Sequence, residues 1–316
     1  MACVARRNPR RRPDPPRPPA PAGPDGPSLI ELERFSRASL HEWLRAAERL
    51  GRLHTALYFG LEAFRQAQGQ ALLDALRTGA RAGYEFEDWS RIVDYRYALE
   101  PVSVAGSVNG EGGRFNIGAR LSPGTFTPFP ALYLAEDFDT AYRERFGQAM
   151  DAKNAALTGR ELALRTPGSF TQVRLRGRLD LVLDVGDPAA LEPFVAVIRR
   201  FELPKAVARL SHQLRLRRPP GMVRTAAGLQ RQLFQSNWRV LPMQFDLPAN
   251  SQVFGRIASA AGLHGILYPS ARQEGKQCLA LYPQNWRGSG CFIKVADPPP
   301  PGARFVWLDG TTGAME

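Results

Sequence analysis

The hydrophobic pattern of the chain changes near residue 85, and this change constrains the fold more than any other feature of the sequence. Between residues 28 and 80, apolar residues recur at three- and four-residue spacing, which predicts helices. After residue 85, short strand-like runs alternate irregularly with helical stretches. The strand-like runs are 90–95, 131–134, 170–175, 179–185, 265–268 and 277–282, and the helical stretches are 138–146, 191–200, 226–234 and 251–261. Because this alternation is too uneven for a regular βαβ series, it predicts an α+β domain preceded by an N-terminal helical segment.

Composition divides the chain into four segments. Residues 1–27 contain nine prolines and six arginines and little that could be buried, which predicts a disordered tail. Residues 28–84 form the helical extension, with Ser28 and Ser39 as expected N-caps. Residues 85–296 form the compact domain. Four consecutive prolines at 298–301 place the end of that domain near residue 296, so residues 297–316 are predicted to be a C-terminal tail.

The formal net charge of +12 limits the classes of partner. Basic proteins bind nucleic acid, membrane surfaces or anionic metabolites. Outside residues 1–27 the arginines are scattered, so a solvated basic surface is the simpler interpretation. The sequence has no apolar run of 18 residues and no signal-peptide core, so we expect a cytoplasmic protein with no membrane partner. The three cysteines and four histidines lack metal-ligand spacing, which predicts that there is no metal site.

Four separated motifs contain the residues that could carry chemistry. They are Arg91 in SRIVDYRYA, Arg114 in GEGGRFN (110–116), Tyr133 and Glu144 in ALYLAEDFDTAYRE (131–144), and Ser270 in GLHGILYPSAR (262–272). A phosphate-binding GxxxxGK[ST] loop, a GxGxxG turn and a GxSxG elbow are all missing from the sequence. Each of the four motifs is weak evidence by itself, and only their order makes them specific.

In this order the motifs resemble the RES-domain family, named for its Arg, Glu and Ser, over about residues 85–295. The resemblance implies a mixed β-sheet core with surrounding helices, similar to ADP-ribosyltransferase toxins, and an enzyme that degrades NAD. It also implies a toxin of a bacterial toxin–antitoxin pair. The implied partner is a helix-turn-helix (Xre-type) antitoxin that covers the active site, so that nucleic acid is contacted only indirectly. Two stretches, 117–132 and 145–269, are longer than in compact members of the family.

The chemistry of NAD suits the residues that carry the resemblance. Guanidinium forks match the diphosphate, which makes Arg91 and Arg114 candidates. The glycines beside Arg114 permit positive φ and would leave clearance for a ligand. Tyr133 offers a ring face for nicotinamide or a hydroxyl for orientation. The first family arginine is Arg91 or Arg96, with Arg91 preferred because RIV is the better strand.

Glu144 is the candidate for the central catalytic role. Cleavage of the nicotinamide–ribose bond develops positive charge on the ribose, and a nearby carboxylate would stabilise that charge. Ser270 would hydrogen-bond the nicotinamide amide or the ribose; no histidine–acid pair accompanies it, so it is not assigned as a nucleophile. Tyr97 is a secondary candidate for NAD binding, and Asn116 either holds the turn or touches substrate. NAD is then a substrate, no cofactor or metal is required, and phosphate is a candidate second substrate.

Three functions follow from these residues. The first is cleavage of NAD with phosphate or water as acceptor. The second is transfer of ADP-ribose to a macromolecule, because the NAD-binding residues do not encode the acceptor. The third is a basic nucleic-acid-binding module, which rests only on the charge and the arginine-rich residues 1–27.

Overall fold

The computed structural model describes residues 37–147, 169–217 and 220–311. The predicted tail 1–27 and the expected N-cap Ser28 lie outside these ranges. The chain divides into two compact units, Met1–Ala47 and Glu48–Glu316. The described part of the first unit is the beginning of helix α1. All further elements belong to the second unit.

Two helices precede the sheet. Helix α1 spans Arg37–Ala67 and helix α2 spans Gly69–Gly79. Between them Gln68 leaves helical geometry, with φ −109° and ψ 18°. Helix α2 buries Leu72 and Leu76 on one face, as the four-residue spacing requires. The predicted N-terminal helical segment is therefore confirmed from residue 37 to residue 79. The expected N-cap Ser39 lies inside α1, and residues 81–84 belong to a strand, Arg81–Asp94, that begins earlier than predicted.

The second unit combines one sheet with helices that pack around it. The strands are β1 Arg81–Asp94, β2 Leu132–Ala135, β3 Phe170–Asp184, β4 Gly265–Pro269, β5 Gln277–Leu281, β6 Phe292–Val295 and β7 Trp307–Asp309. The helices are α3 Phe138–Phe146, α4 Pro188–Ile198, α5 Lys205–Gln213, α6 Ala226–Leu233, α7 Val240–Phe245 and α8 Asn250–Ala260. The predicted α+β class is confirmed. The pattern in the sequence did not indicate helices α5 and α7 or strands β6 and β7.

The strand order is β1-β2-β5-β4-β3-β6-β7. Strand β1 also pairs with β3 over a long antiparallel stretch, so the first and the fifth strands in this order are hydrogen-bonded to each other. Strands β3 and β4 are parallel, and the other pairs are antiparallel. The sheet is therefore mixed, as the resemblance implied. One buried cluster joins it to helices α2, α4, α6 and α8, and a second lies among the strands around Trp286.

Strand β3 is continuous where the sequence predicted two separate runs. The gap between the predicted runs contains Gly177. A Cβ at this position would lie 2.4 Å from the Phe292 carbonyl oxygen of β6 and 2.7 Å from the ring of Phe86. This glycine therefore allows a close approach of two neighbours and does not end the strand.

The sheet also continues beyond the predicted domain end at residue 296. Strand β7 pairs with β6 from Lys294↔Trp307 to Phe292↔Asp309. The Trp307 ring stacks on the Phe292 ring, with centroids 5.1 Å apart. Leu308 is buried in the core. The predicted tail 297–316 thus includes an edge strand, which the preceding prolines concealed in the sequence.

Candidate active site

The glycines of GEGGRFN shape a loop whose space is filled by the protein itself. Gly110 and Gly112 have φ of 70° and 90°, which confirms the predicted positive φ. A Cβ on Gly112 would lie 2.4 Å from the Asn116 carbonyl oxygen, and one on Gly113 would lie 2.5 Å from the Tyr133 hydroxyl. At Gly112 and Gly113 the missing side chains therefore make room for the loop backbone and for Tyr133. The predicted clearance for a ligand does not apply to these two glycines.

Asn116 holds this loop through every polar atom of its side chain. Its Oδ1 accepts hydrogen bonds from the Gly113 amide and from the Tyr133 hydroxyl, both at 2.8 Å. Its Nδ2 donates to the carbonyl oxygens of Ser107 and Phe129. The side chain is fully buried. Of the two roles that the sequence left open for Asn116, these contacts supply the turn-holding one.

The Tyr133 hydroxyl is likewise committed to the loop. Besides donating to Asn116, it accepts a hydrogen bond from the Phe115 amide at 2.9 Å. Burial raises the pKa of this phenol, so the group stays protonated. The ring of Phe115 packs below the loop against Tyr268, with centroids 5.0 Å apart. The ring face of Tyr133, and not its hydroxyl, is therefore the part that could meet a substrate.

Gln252 on helix α8 organises the same loop and was not indicated by the sequence. Its Nε2 lies 2.8–3.1 Å from the carbonyl oxygens of Glu111, Gly113 and Asn116. Its Oε1 accepts a hydrogen bond from the Ala249 amide. The side chain is fully buried. In the sequence, the one feature that could have pointed to this role was a glutamine among mostly apolar residues on the buried face of the helix.

Arg114 leaves the loop toward the end of helix α6. Its Nη1 donates to the carbonyl oxygens of Leu233 at 2.9 Å and Gln235 at 3.2 Å. Its guanidinium carbon lies 5.7 Å from the ring centroid of Trp238. One nitrogen thus anchors the half-buried side chain, and no bond within the described residues engages Nε or Nη2. These groups are available to an anion.

Glu144 and Ser270, which are 126 residues apart, come into direct contact. The Ser270 Oγ donates to Glu144 Oε1 at 2.7 Å, and the Ala271 amide donates to the same oxygen at 2.9 Å. The Ser270 Oγ in turn accepts hydrogen bonds from the amides of Arg272 and Gln273. These contacts fix one carboxylate oxygen, and no hydrogen bond within the described residues engages Oε2. Ser270 therefore orients Glu144 in this structure.

Arg239 adds a positive charge that the sequence did not single out. It lies directly before helix α7, and its side chain is exposed although the guanidinium is partly desolvated. This partial desolvation lowers its pKa, and the positive charges of Arg114 and Arg272 lower it further, while Glu144 and Tyr133 oppose the shift. Four charged or polar groups therefore lie within electrostatic reach of Arg239.

Arg91 occupies a structural position on β1. Its Nη1 and Nη2 donate to the carbonyl oxygens of Pro101 and Ser103, at 3.1 and 3.0 Å. Desolvation and then the charge of Arg145 lower the pKa of Arg91 to about 10, so it remains cationic at neutral pH. Arg91 thus holds the segment after β1, and the structure gives it no contact with Glu144. Its predicted role in NAD binding stays a prediction.

Arg96 and Tyr97 lie in a 3-10 turn after β1 ends at Asp94. Both side chains are exposed. The Arg96 guanidinium lies 4.7 Å from the Tyr97 ring centroid and 3.8 Å from the Asp94 carboxylate. Arg96 therefore lies beyond the strand that contains Arg91, and the NAD contacts predicted for Arg96 and Tyr97 stay predictions.

In residues 37–147, 169–217 and 220–311, histidine, cysteine and acidic side chains form no group of three or more that could hold a metal ion. Over the same part of the chain, no helix combines the length and the apolar character that a membrane crossing requires.

Comparisons with known proteins place the chain in a family. No curated protein matches the sequence. Among solved structures, the MbcT–MbcA toxin–antitoxin complex of M. tuberculosis contains a similar chain, with 18% identity and a TM-score of 0.36, and the match covers 70% of this chain and 87% of that chain. The family model of the RES domain matches residues 88–302. Because that match spans more than half of the chain and contains all four motifs, this protein belongs to the RES-domain family.

Proposed function

We propose that this protein degrades NAD by cleaving the bond between nicotinamide and ribose. The observation that carries the proposal is the contact between Ser270 and Glu144, which orients a carboxylate within electrostatic reach of Arg239, the side chain that shares the Trp238 ring with Arg114. An NAD molecule offers matching features, namely a diphosphate for the arginines and a developing cation for the carboxylate. Membership of the RES-domain family supports the same assignment.

In the proposed reaction, the electron pair of the broken C–N bond passes to the nicotinamide ring nitrogen. That nitrogen is cationic in NAD, so nicotinamide leaves as a neutral molecule and needs no general acid. Positive charge develops on the ribose, and Glu144 stabilises it. A new C–O bond then forms to water, which releases a proton, or to phosphate. The bonds from Ser270 and Ala271 to Oε1 leave Oε2 for the ribose.

We further propose that the cleavage is a toxic activity controlled by an antitoxin. This part of the proposal rests on the RES-domain family and on the resemblance of the motifs to its toxins. The partner would be a helix-turn-helix protein that binds over Glu144 and blocks NAD. Co-expression with a neighbouring gene of that class should restore growth of cells that express this chain, and growth arrest that persists would argue against the pairing.

The enzymatic proposal is tested by incubating purified protein with NAD, with and without phosphate, and separating the products by chromatography. We expect ADP-ribose with water and a phosphorylated ADP-ribose with phosphate. The variant Glu144→Gln should lose about 10²- to 10³-fold in kcat, because the neutral amide cannot stabilise a cation. Unchanged NAD with folded wild-type protein would refute the proposal.

A matched variant separates loss of the catalytic charge from a general effect of the substitution. Glu192→Gln makes the same change on helix α4, where the side chain is exposed. Its turnover should equal that of the wild type. A further incubation with labelled NAD tests the acceptor. Transfer of the label to protein or nucleic acid would identify the acceptor as a macromolecule instead of water or phosphate.

A further inference from the structure

Two arginines, Arg114 and Arg239, share the aromatic ring of Trp238. The guanidinium carbon of Arg239 lies 4.4 Å from the ring centroid of Trp238, and that of Arg114 lies 5.7 Å from it. The indole is buried, with 6% of its surface exposed. A fixed aromatic face holds a planar guanidinium in a defined orientation. The ring therefore positions two forks, one from the GEGGRFN loop and one from the segment before helix α7.

A single chain segment builds this arrangement. The carbonyl oxygens of Leu233 and Gln235 accept hydrogen bonds from Arg114 Nη1 and so anchor its guanidinium. Trp238 and Arg239 follow within four residues of that anchor. The segment lies within residues 145–269, the stretch that is longer than in compact family members. The longer stretch thus supplies both the support for Arg114 and a second cation.

The guanidinium of Arg239 lies over an aromatic ring and, in the described part of the chain, is not paired with a carboxylate by direct contact. Within the described residues it makes no hydrogen bond and no ion pair, and its contact is with the Trp238 ring. Its charged neighbours are Arg114 and Arg272, which are repulsive, and Glu144, which is attractive. Two guanidiniums and one carboxylate near the Arg239 guanidinium leave excess positive charge around it. Such a cluster is stabilised when an anion with at least two charges binds there.

We infer that Arg239 and Arg114 form a diphosphate subsite, in which Trp238 sets the direction of both guanidinium forks. The identity of the diphosphate as that of NAD rests on the proposed function. The anion chemistry does not rest on it, because two forks that contact one ring and keep free donors would bind any diphosphate in preference to a monophosphate. Arg239 is then a substrate-binding residue.

The kinetic test compares substitutions of Arg239 in the full chain. Arg239→Ala should raise the KM for NAD roughly 10- to 100-fold, which corresponds to the loss of charge-assisted hydrogen bonds. Arg239→Lys keeps the charge but loses the fork, so it should recover only part of that effect. Arg114→Ala should show a rise of similar size. Arg176→Ala removes an exposed arginine of β3 and should leave KM unchanged.

Binding of inorganic pyrophosphate and of orthophosphate, followed by calorimetry, tests the subsite without turnover. Wild-type protein should bind pyrophosphate more tightly, and Arg239→Ala should weaken that binding roughly 10-fold or more. If wild-type protein does not cleave NAD but shows this dependence, the subsite stands and the proposed function fails. An unchanged KM together with unchanged pyrophosphate affinity in Arg239→Ala would overturn the inference. Dependence on Arg239 for orthophosphate alone would overturn the diphosphate assignment.

Discussion

Replacing Gln252 with leucine should weaken the whole GEGGRFN loop, because this one side chain binds three of its carbonyl groups. The two amide hydrogens on Nε2 are shared among the carbonyl oxygens of Glu111, Gly113 and Asn116. Leucine has a similar size and no donor. The substitution therefore removes hydrogen bonds while largely preserving the packing volume.

The expected magnitude follows from the groups that lose their partner. The Glu111 carbonyl keeps the Gly118 amide as a donor. The carbonyls of Gly113 and Asn116, together with the Ala249 amide, lose the hydrogen bonds from and to Gln252. Each buried polar group without a partner costs about 1–3 kcal/mol. Allowing for partial relaxation toward water and for the gain from burying leucine, we expect a loss of about 3–5 kcal/mol in the free energy of unfolding.

Urea and thermal unfolding, followed by circular dichroism, measure this loss. A decrease of that size would lower Tm by roughly 6–20 °C. Gln252→Glu should be at least as harmful, because its carboxylate would face the same carbonyl oxygens. Gln70→Leu is the matched control, since Gln70 is exposed and bonds only Asp74 on helix α2; it should change stability by less than about 0.5 kcal/mol. Stability of Gln252→Leu within about 0.5 kcal/mol of the wild type would refute the reasoning.

Two further predictions concern the loop and the contact between helices. Gly113→Ala should destabilise the protein by about 1–3 kcal/mol, because the added Cβ would overlap the Tyr133 hydroxyl. Gly106→Ala is the control, since a Cβ at Gly106 meets open space and should leave stability unchanged. Equal unfolding curves for both variants would contradict this. At Glu62, burial opposes ionisation, but hydrogen bonds and charge from neighbouring arginines, including Arg256 of helix α8, outweigh it and hold the pKa below its usual 4.5. This depressed pKa adds to the free energy of unfolding above pH 4.5, and the gain is lost as the pH falls through the folded value. The difference in free energy of unfolding between wild type and Glu62→Gln, measured with urea, should therefore shrink from about pH 7 to about pH 3. A difference that stays constant would contradict this.

Local sequence patterns predicted much of the fold because they reflect the environment of nearby residues. Three- and four-residue periodicity located helix α3 and the cores of α4, α6 and α8, and apolar runs located β2, β4 and β5. The pattern could not distinguish a glycine that breaks a strand from one that admits a neighbour. The sequence pattern therefore predicted a break in β3 near Gly177. In the structure the strand continues, and the missing side chain of Gly177 makes room for Phe86 and Phe292. Strand β6 and the edge strand β7 are short and carry little periodicity.

The ordered motifs by themselves identified Glu144, Ser270, Arg114 and Tyr133 as candidates, and they determined the family. The tertiary structure decided what these side chains do, because the partners of Glu144, Ser270 and Arg114 come from positions more than a hundred residues away. Folding brings Ser270 onto Glu144 and lays Arg239 over Trp238 near Arg114. It also buries the Gln252 amide beneath the loop, where only a three-dimensional arrangement can match one donor group to three carbonyls. Residue type and spacing encode local structure, whereas hydrogen bonds and charges between distant segments exist only once the chain has folded.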